Sequence, residues 1–141
     1  MRIGVTGHSN LAPESEKVVA RAIRDVLTGF SEPIIGVSCL ARGADQLFAR
    51  VVLELGGRLE VVLPAADYRD RKVKSDNRAE FDALIAQAAD VQVLPFEQSG
   101  REAYLAASET VLSSVDAVVA VWDGKPADGR GGTGDVVAAA T

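Results

Sequence analysis

The chain has 141 residues, 48% of them hydrophobic, and a formal net charge of −5, which describes one folded globular domain with a sizeable core and argues against disorder. A single cysteine, Cys39, excludes an internal disulfide, and with His8 as the single histidine a protein-only zinc site is not expected. The acidic balance makes nucleic acid an unexpected partner, and no apolar run approaches the roughly 20 residues of a membrane span.

Met1-Arg-Ile-Gly-Val-Thr6 reads as a first strand, with Gly7-His-Ser-Asn10 as a turn after it. Because the chain opens directly on that strand, no signal peptide is read and the cytoplasm is the expected compartment. Pro13 suits the first turn of a helix and Glu14 and Glu16 suit its positive end. Val19, Ile23, Val26, Leu27 and Phe30 then recur at helical spacing, with Gly29 at the far end. Pro33-Ile-Ile-Gly-Val37 is the second strand and Ser38 to Ala44 a loop. Leu47, Phe48, Val51, Val52 and Leu55 form the next helical face, closed by Gly56-Gly57. Leu59-Glu-Val-Val-Leu63 is the third strand, ended by Pro64.

Asp67 to Arg78 is polar and aperiodic, and reads as a solvated loop or as a basic lid over an anion. Phe81, Leu84, Ile85 and Ala88 give a helical face, and Val91-Gln-Val-Leu94 a fourth strand. Ser99-Gly-Arg-Glu102 matches a capping box, so a helix is expected from there to Ser114. The unbroken apolar run Ala117-Val-Val-Ala-Val-Trp122 is the fifth strand. Four glycines follow within six residues, Gly129, Gly131, Gly132 and Gly134, with Thr133 among them. Val136-Val-Ala-Ala-Ala140 reads as the start of a helix. A strand, glycine loop and helix in that order aim backbone N–H groups and a helix dipole at an anion, phosphate being the usual one. The glycines fit neither the dinucleotide fingerprint nor a P-loop. A helix here would be short of the typical length of about 11 residues. Self-association through an exposed helix or sheet edge is therefore expected.

Strands alternating with helices imply an α/β domain over residues 1–141 with a mostly parallel sheet of about five strands, buried under helices on both faces. Right-handed crossovers put the strand-to-helix loops on one edge, where open α/β sheets bind ligands. That edge gathers Gly7-His8, Ser38 to Asp45, Pro64 to Tyr68, Pro95-Phe96 and Asp123 to Asp135.

Gly4-Val-Thr-Gly-His8, Leu40-Ala-Arg-Gly-Ala-Asp45, Val62-Leu-Pro64 and Val121-Trp-Asp-Gly124 followed by Gly131-Gly-Thr133 resemble the motifs of the SLOG superfamily. This group contains the LOG cytokinin-activating proteins, the DNA-processing protein DprA and the YpsA-like proteins. The YpsA-like members are the most similar in size and in the Trp-Asp-Gly…Gly-Gly-Thr pattern. The resemblance implies a three-layer Rossmann-like sheet and a nucleotide or nucleotide-derived ligand at its carboxyl edge. LOG enzymes carry a Glu, three residues after a Gly-Thr, that serves glycosidic-bond hydrolysis. Aligning Gly132-Thr133 with that Gly-Thr puts Val136 at the Glu position and Asp135 one position early.

The candidate ligand contacts are Gly7, His8, Arg42, Gly43, Asp45, Trp122, Asp123, Gly124, Gly131, Gly132, Thr133 and Asp135. Arg42 suits phosphate oxygens. Asp45 either stabilises the start of its helix or contacts a ribose hydroxyl. Trp122 and Tyr68 are core or rim residues, or stack on a base. Asp123 could bring Mg²⁺ to a phosphate. Cys39 reads as a small packed residue. Two functional classes remain open. One is a nucleotide-binding domain without turnover, of a sensor or carrier type, which we prefer. The other is a hydrolase of a nucleotide N-glycosidic bond, which needs a placed acid or base.

Overall fold

The computed structural model describes residues 1–7, 13–122 and 135–140, the last segment by its backbone. Six strands form one sheet in the order β4-β3-β2-β1-β5-β6. They are β1 (Arg2–Gly7), β2 (Ile35–Ser38), β3 (Arg58–Leu63), β4 (Asp90–Val93), β5 (Ala117–Trp122) and β6 (Asp135–Ala140). The first five run parallel, in register Gly4↔Val37, Val37↔Glu60, Val61↔Val91 and Gly7↔Val121. Three parallel crossovers step outward from β1 to β4, and the chain then returns to the other side of β1 for β5. The strand order therefore reverses between β1 and β5.

Helices cover both faces, as the unbroken apolar strands require. α1 (Pro13–Thr28), α2 (Ala44–Glu54) and α4 (Arg78–Gln87) lie on one face, and α5 (Arg101–Ser114) lies on the other. Under α1 and α2, Ile3, Val5, Val119 and Val121 meet Val19, Ile23, Leu27, Leu47, Phe48 and Val52. Under α4, Leu59 and Val61 meet Ala49, Phe81 and Leu84. On the opposite face Val37, Val62 and Val118 meet Ala107, Val111 and Val115. Adjacent strand residues thus serve opposite layers, which is the period of two that a strand imposes. At the amino edge Arg2 locks the register: its N–H donates to the Asp116 carboxylate at 2.9 Å and its Nε to the Ser114 carbonyl at 2.6 Å.

Three expectations change. Val136–Ala140 is not the start of a helix; with Asp135 it forms β6, antiparallel to β5 from Trp122↔Asp135 to Ala117↔Ala140. So few residues make fewer than two helical turns, too few to repay nucleation, whereas the free edge of β5 offers a continuous ladder of backbone bonds. Val136 and Val137 also favour a strand. The self-association expected from an incomplete helix loses that basis, because the segment pairs within its own sheet.

The capping box also fails. α5 begins after Gly100 with no side-chain cap. Ser99 instead gives its N–H and its hydroxyl to Asp67 Oδ1, at 2.7 and 2.8 Å. A tertiary acceptor outcompetes the local one.

The polar segment before α4 is structured too. It forms α3 (Tyr68–Lys72) and a 3-10 turn (Ser75–Asn77). Arg69 grips Asp82 of α4 through Nε and Nη2, both at 2.7 Å. Arg78 donates to the Val73 and Asp70 carbonyls at 3.2 and 3.0 Å. These contacts tie the segment to α4.

Candidate functional site

The site grows out of the β2–α2 turn. Ser38 is buried at the end of β2. Its hydroxyl accepts from the Leu40 N–H at 3.0 Å and donates to the Asp45 carbonyl at 3.3 Å, closing the loop on itself. Leu40 takes φ 55°, and Gly43, at the helix entry, takes φ 93°. The second value is why the motif carries glycine there, since side chains rarely adopt that region. Gln46, buried on α2, donates to the Leu40 carbonyl at 3.1 Å. It also exchanges two amide bonds with Asn77, at 2.8 and 3.0 Å. A buried amide satisfied on both ends is a rigid joint. It fixes the 3-10 turn against α2 and holds the strained Leu40 in place.

A cleft of about 250 Å³ opens over the carboxyl ends of β1, β2 and β3. Val5, Thr6 and Gly7 form its floor on β1, while Cys39, Ala41 and Asp45 line the β2–α2 side. Pro64 and Tyr68 come from the loop after β3, and Tyr104, Ala107, Ser108, Val111 and Leu112 come from α5. The Tyr68 and Tyr104 rings meet edge-on, with centroids 6.3 Å apart and planes at 79°. The rim is held by Asp67 on Ser99 and by the Ala66 N–H on the Phe96 carbonyl at 3.0 Å.

Asp45 is the ionisable centre of the cleft. Its Oδ2 accepts from the Ala41 N–H at a long 3.4 Å, so the carboxylate turns back to the loop and does not cap its own helix. Burial pushes its pKa up from 3.8 to about 6, against the lowering pull of the Ala41 and Cys39 amides. Burial, and then the Asp45 charge, push the Cys39 thiol up to about 12, so it stays protonated and inert. Burial also raises the Tyr68 and Tyr104 phenols.

The Asp45 shift has a stability consequence. A carboxyl with a folded-state pKa above its unfolded value binds its proton more tightly when folded. Stability therefore rises as pH falls through about 6 towards 3.8, and is lost as pH rises through the same window. Asp45→Asn removes the cost of burying the charge. At neutral pH it is expected to stabilise the protein by about 1–3 kcal/mol, with the gain gone below about pH 4. Urea unfolding at both pH values measures this. An equal gain at both would show that the carboxyl charge is not its source.

The expected site residues divide into three groups. Gly7 and Asp45 line the cleft together. Gly43 shapes the turn beside it. Arg42 does not enter the cleft; it points outward and forks onto Asp76, Nη1 to Oδ1 at 3.3 Å and Nη2 to Oδ2 at 3.1 Å. That pair is exposed on both sides, and such pairs are worth about 0–1 kcal/mol, so it does not lock Arg42 away from a ligand. Arg42 borders a second pocket of about 270 Å³ with Lys72, Lys74, Asn77, Leu40, Val73 and Tyr68. The backbone of Trp122 pairs with Asp135. His8, Asp123, Gly124, Gly131, Gly132 and Thr133 lie outside the described residues.

The α5 wall of the cleft was not foreseen. Tyr104, Ser108 and Leu112 recur every four residues on one helical face, a readable pattern. Nothing in the sequence says that this face meets the β1 end. Among the described residues no helix is long and apolar enough to cross a membrane.

No protein-family model matches the chain, and no curated protein matches it significantly. Among solved structures it is similar to DNA processing protein A from Helicobacter pylori, described for its single-stranded DNA binding mode. The TM-score is 0.63 and the identity 18%, over 89% of this chain and 56% of that one. It is also similar to DNA processing protein A (DprA) from Streptococcus pneumoniae, with a TM-score of 0.59 and 20% identity, over 84% of this chain and 40% of that one. The chain thus spans little more than half of one neighbour and less than half of the other. Both neighbours are DprA proteins, one of the groups within the superfamily that the motifs resemble. One expectation is corrected here. The acidic balance made nucleic acid an unexpected partner, yet the Helicobacter pylori neighbour binds single-stranded DNA. Net charge is a property of the whole chain, whereas a strand meets only a local patch. The sheet order, the helices on both faces and these neighbours together establish an α/β domain with the Rossmann-like fold found in DprA proteins.

Proposed function

We propose that this domain binds a nucleotide-type ligand at the carboxyl edge of its sheet, with the base end in the cleft and the phosphate end at the β5–β6 connection. The observation that carries the reading is the position of the cleft. It opens at the end of β1, beside the point where the strand order reverses, and open α/β sheets bind ligands in that crevice. Gly7 faces Val121 in register, and Trp122 pairs with Asp135, so residues 123–134 leave and rejoin the sheet at this edge. In this reading Gly131, Gly132 and Thr133 hold the phosphate through backbone N–H groups and a hydroxyl, and His8, Asp123 and Gly124 are further candidate contacts. With a strand and not a helix after the loop, a helix dipole no longer supports the anion, which leaves backbone N–H groups as the proposed donors. The position that carries the hydrolytic Glu in LOG enzymes is Val136, an aliphatic residue. Binding without turnover therefore remains the preferred reading, in a sensor-like role.

The test is Gly132→Val, read by titration calorimetry with guanosine 5′-monophosphate and by circular dichroism for folding. A side chain there blocks close approach of the backbone to an anion. The variant is expected to bind about 10-fold or more weakly while remaining folded. Binding as tight as in the parent would place the phosphate elsewhere.

A second reading has its own support. In it the nucleotide is one unit of a single strand. Arg42, Lys72 and Lys74 surround the second pocket, and Tyr68 is a wall shared with the cleft. A strand leaving the cleft over Tyr68 would bring its next phosphate to those cations. A short oligothymidylate that displaces the mononucleotide, with an affinity that falls steeply with salt, would favour this reading. Failure to displace it would favour the free nucleotide.

A further inference from the structure

The lining of the cleft restricts what fills it. Its volume of about 250 Å³ lies below the roughly 300–1,000 Å³ of pockets that enclose a drug-sized ligand. It accommodates one ring system and leaves sugar and phosphate outside. Among the described residues the lining holds no Lys, Arg or His, so a phosphate finds no countercharge from them. Tyr68 and Tyr104 present their rings to it, and Ala107, Val111 and Leu112 add apolar surface. A flat heteroaromatic ring suits such walls.

What remains is the polar edge that this ring must present. The hydroxyls of Thr6 and Ser108 adapt to either a donor or an acceptor. Asp45 does not adapt: an ionised carboxylate only accepts, at about four lone-pair sites. Its amide partners are weak, the Ala41 N–H standing 3.4 Å away, and among the described residues it has no ion pair. A partly buried carboxylate so poorly paired is stabilised by any ligand that brings donors to it.

We propose that Asp45 reads the base of the bound nucleotide by accepting from two adjacent N–H groups, a ring N–H and an exocyclic amino group, the edge that guanine presents. This rests on the nucleotide reading above and adds the class of base. Adenine and cytosine set their amino group beside a bare ring nitrogen, whose lone pair would face the second carboxylate oxygen. That repulsion selects against them, as specificity requires. Inosine keeps the ring N–H and lacks only the amino group.

The charge state of the carboxyl sets the pH range. The titratable groups facing Asp45 are the Cys39 thiol at the end of β2 and the Tyr68 phenol of α3, with the Tyr104 phenol of α5 across the cleft. All three stay protonated at neutral pH, and desolvation raises each of them further. Among the described residues Asp45 alone changes charge near pH 6. Protonation turns one acceptor oxygen into a donor and spoils the match to guanine.

The experiment compares guanosine and inosine 5′-monophosphates on the parent protein by calorimetry at about pH 7.5, and again at about pH 5.5. Guanosine monophosphate is expected to bind about 10-fold or more tightly at the higher pH, the range for a hydrogen bond to a charged group. The preference should shrink at the lower pH. Asp45→Asn should lose both the preference and its pH dependence. Equal binding of the two at the higher pH, or tighter binding of adenosine 5′-monophosphate, overturns the assignment to Asp45 and leaves the nucleotide site standing. Absence of binding by all three removes the nucleotide reading and this inference together. The comparison on the parent protein stands even if the variant does not fold.

Discussion

Phe48→Ala is expected to destabilise the protein by about 3–5 kcal/mol, the range for deleting a buried aromatic ring. Phe48 is fully buried in the layer between α2 and the sheet, where it meets Val52 and the β1 and β5 valines. Its place depends on Gly36 of β2. A Cβ at Gly36 would lie 3.0 Å from the Phe48 ring and 2.7 Å from Val52 Cγ2. The ring therefore presses directly on the strand backbone. Its removal leaves a void that neither the strand nor α2 can close without breaking the β1–β2–β3 ladder. Denaturant unfolding followed by circular dichroism measures the loss, and thermal unfolding should show a drop of about 10–20 °C. A loss under about 1 kcal/mol would mean that the layer collapses around the gap, and that the close approach at Gly36 serves some other contact.

Gly7→Ala is expected to cost about 2–3 kcal/mol, the upper part of the range for overpacking, and to abolish ligand binding in the cleft. The added Cβ would stand 2.6 Å from the Val121 carbonyl oxygen, 2.7 Å from the Val121 Cβ and 3.1 Å from the Ala44 Cβ. Two of those neighbours belong to the strand paired with Gly7 in register, and the third opens α2. A flexible side chain could swing aside; a strand backbone and a helix start cannot. Relief has to come from parting β1 and β5 at the end where the cleft floor lies. Gly100→Ala is the control. Nothing lies within 4 Å of its Cβ position and its backbone is extended, so stability should change by less than about 1 kcal/mol. Gly7→Ala as stable as that control would show that β1 and β5 have room between them.

Arg69, Arg42 and Arg71 each have a carboxylate partner close by, in Asp82, Asp76 and Asp67. Lys72 and Lys74 border the second pocket with no ion pair among the described residues. The excess of acid is spread over the surface, and local positive charge collects on one side of Tyr68. A net charge of −5 is therefore compatible with a cationic spot at the carboxyl edge of the sheet.

The sequence by itself determined the alternation of strands and helices and the edge on which the cleft opens. Both follow from local periodicity and from the handedness of parallel crossovers, which do not depend on distant contacts. Gly43 was expected as a ligand contact, and the structure shows it instead at φ 93°, where the turn into α2 needs glycine. Tertiary structure decided the rest wherever a local preference met a stronger distant partner. Val136–Ala140 was short enough to be helix or strand, and the open edge of β5 made it a strand. Ser99 had a local cap to make, and the Asp67 carboxylate took both of its hydrogen bonds. Arg42 was placed on the right loop, but its direction was set by Asp76, 34 residues away. Asp45 looked like a helix-start residue. Only the packing of α5 across the end of β1 put its carboxyl at the side of the cleft, and burial there lifted its pKa to about 6. Local rules choose the elements, and burial and pairing between remote segments choose which side chains share a site.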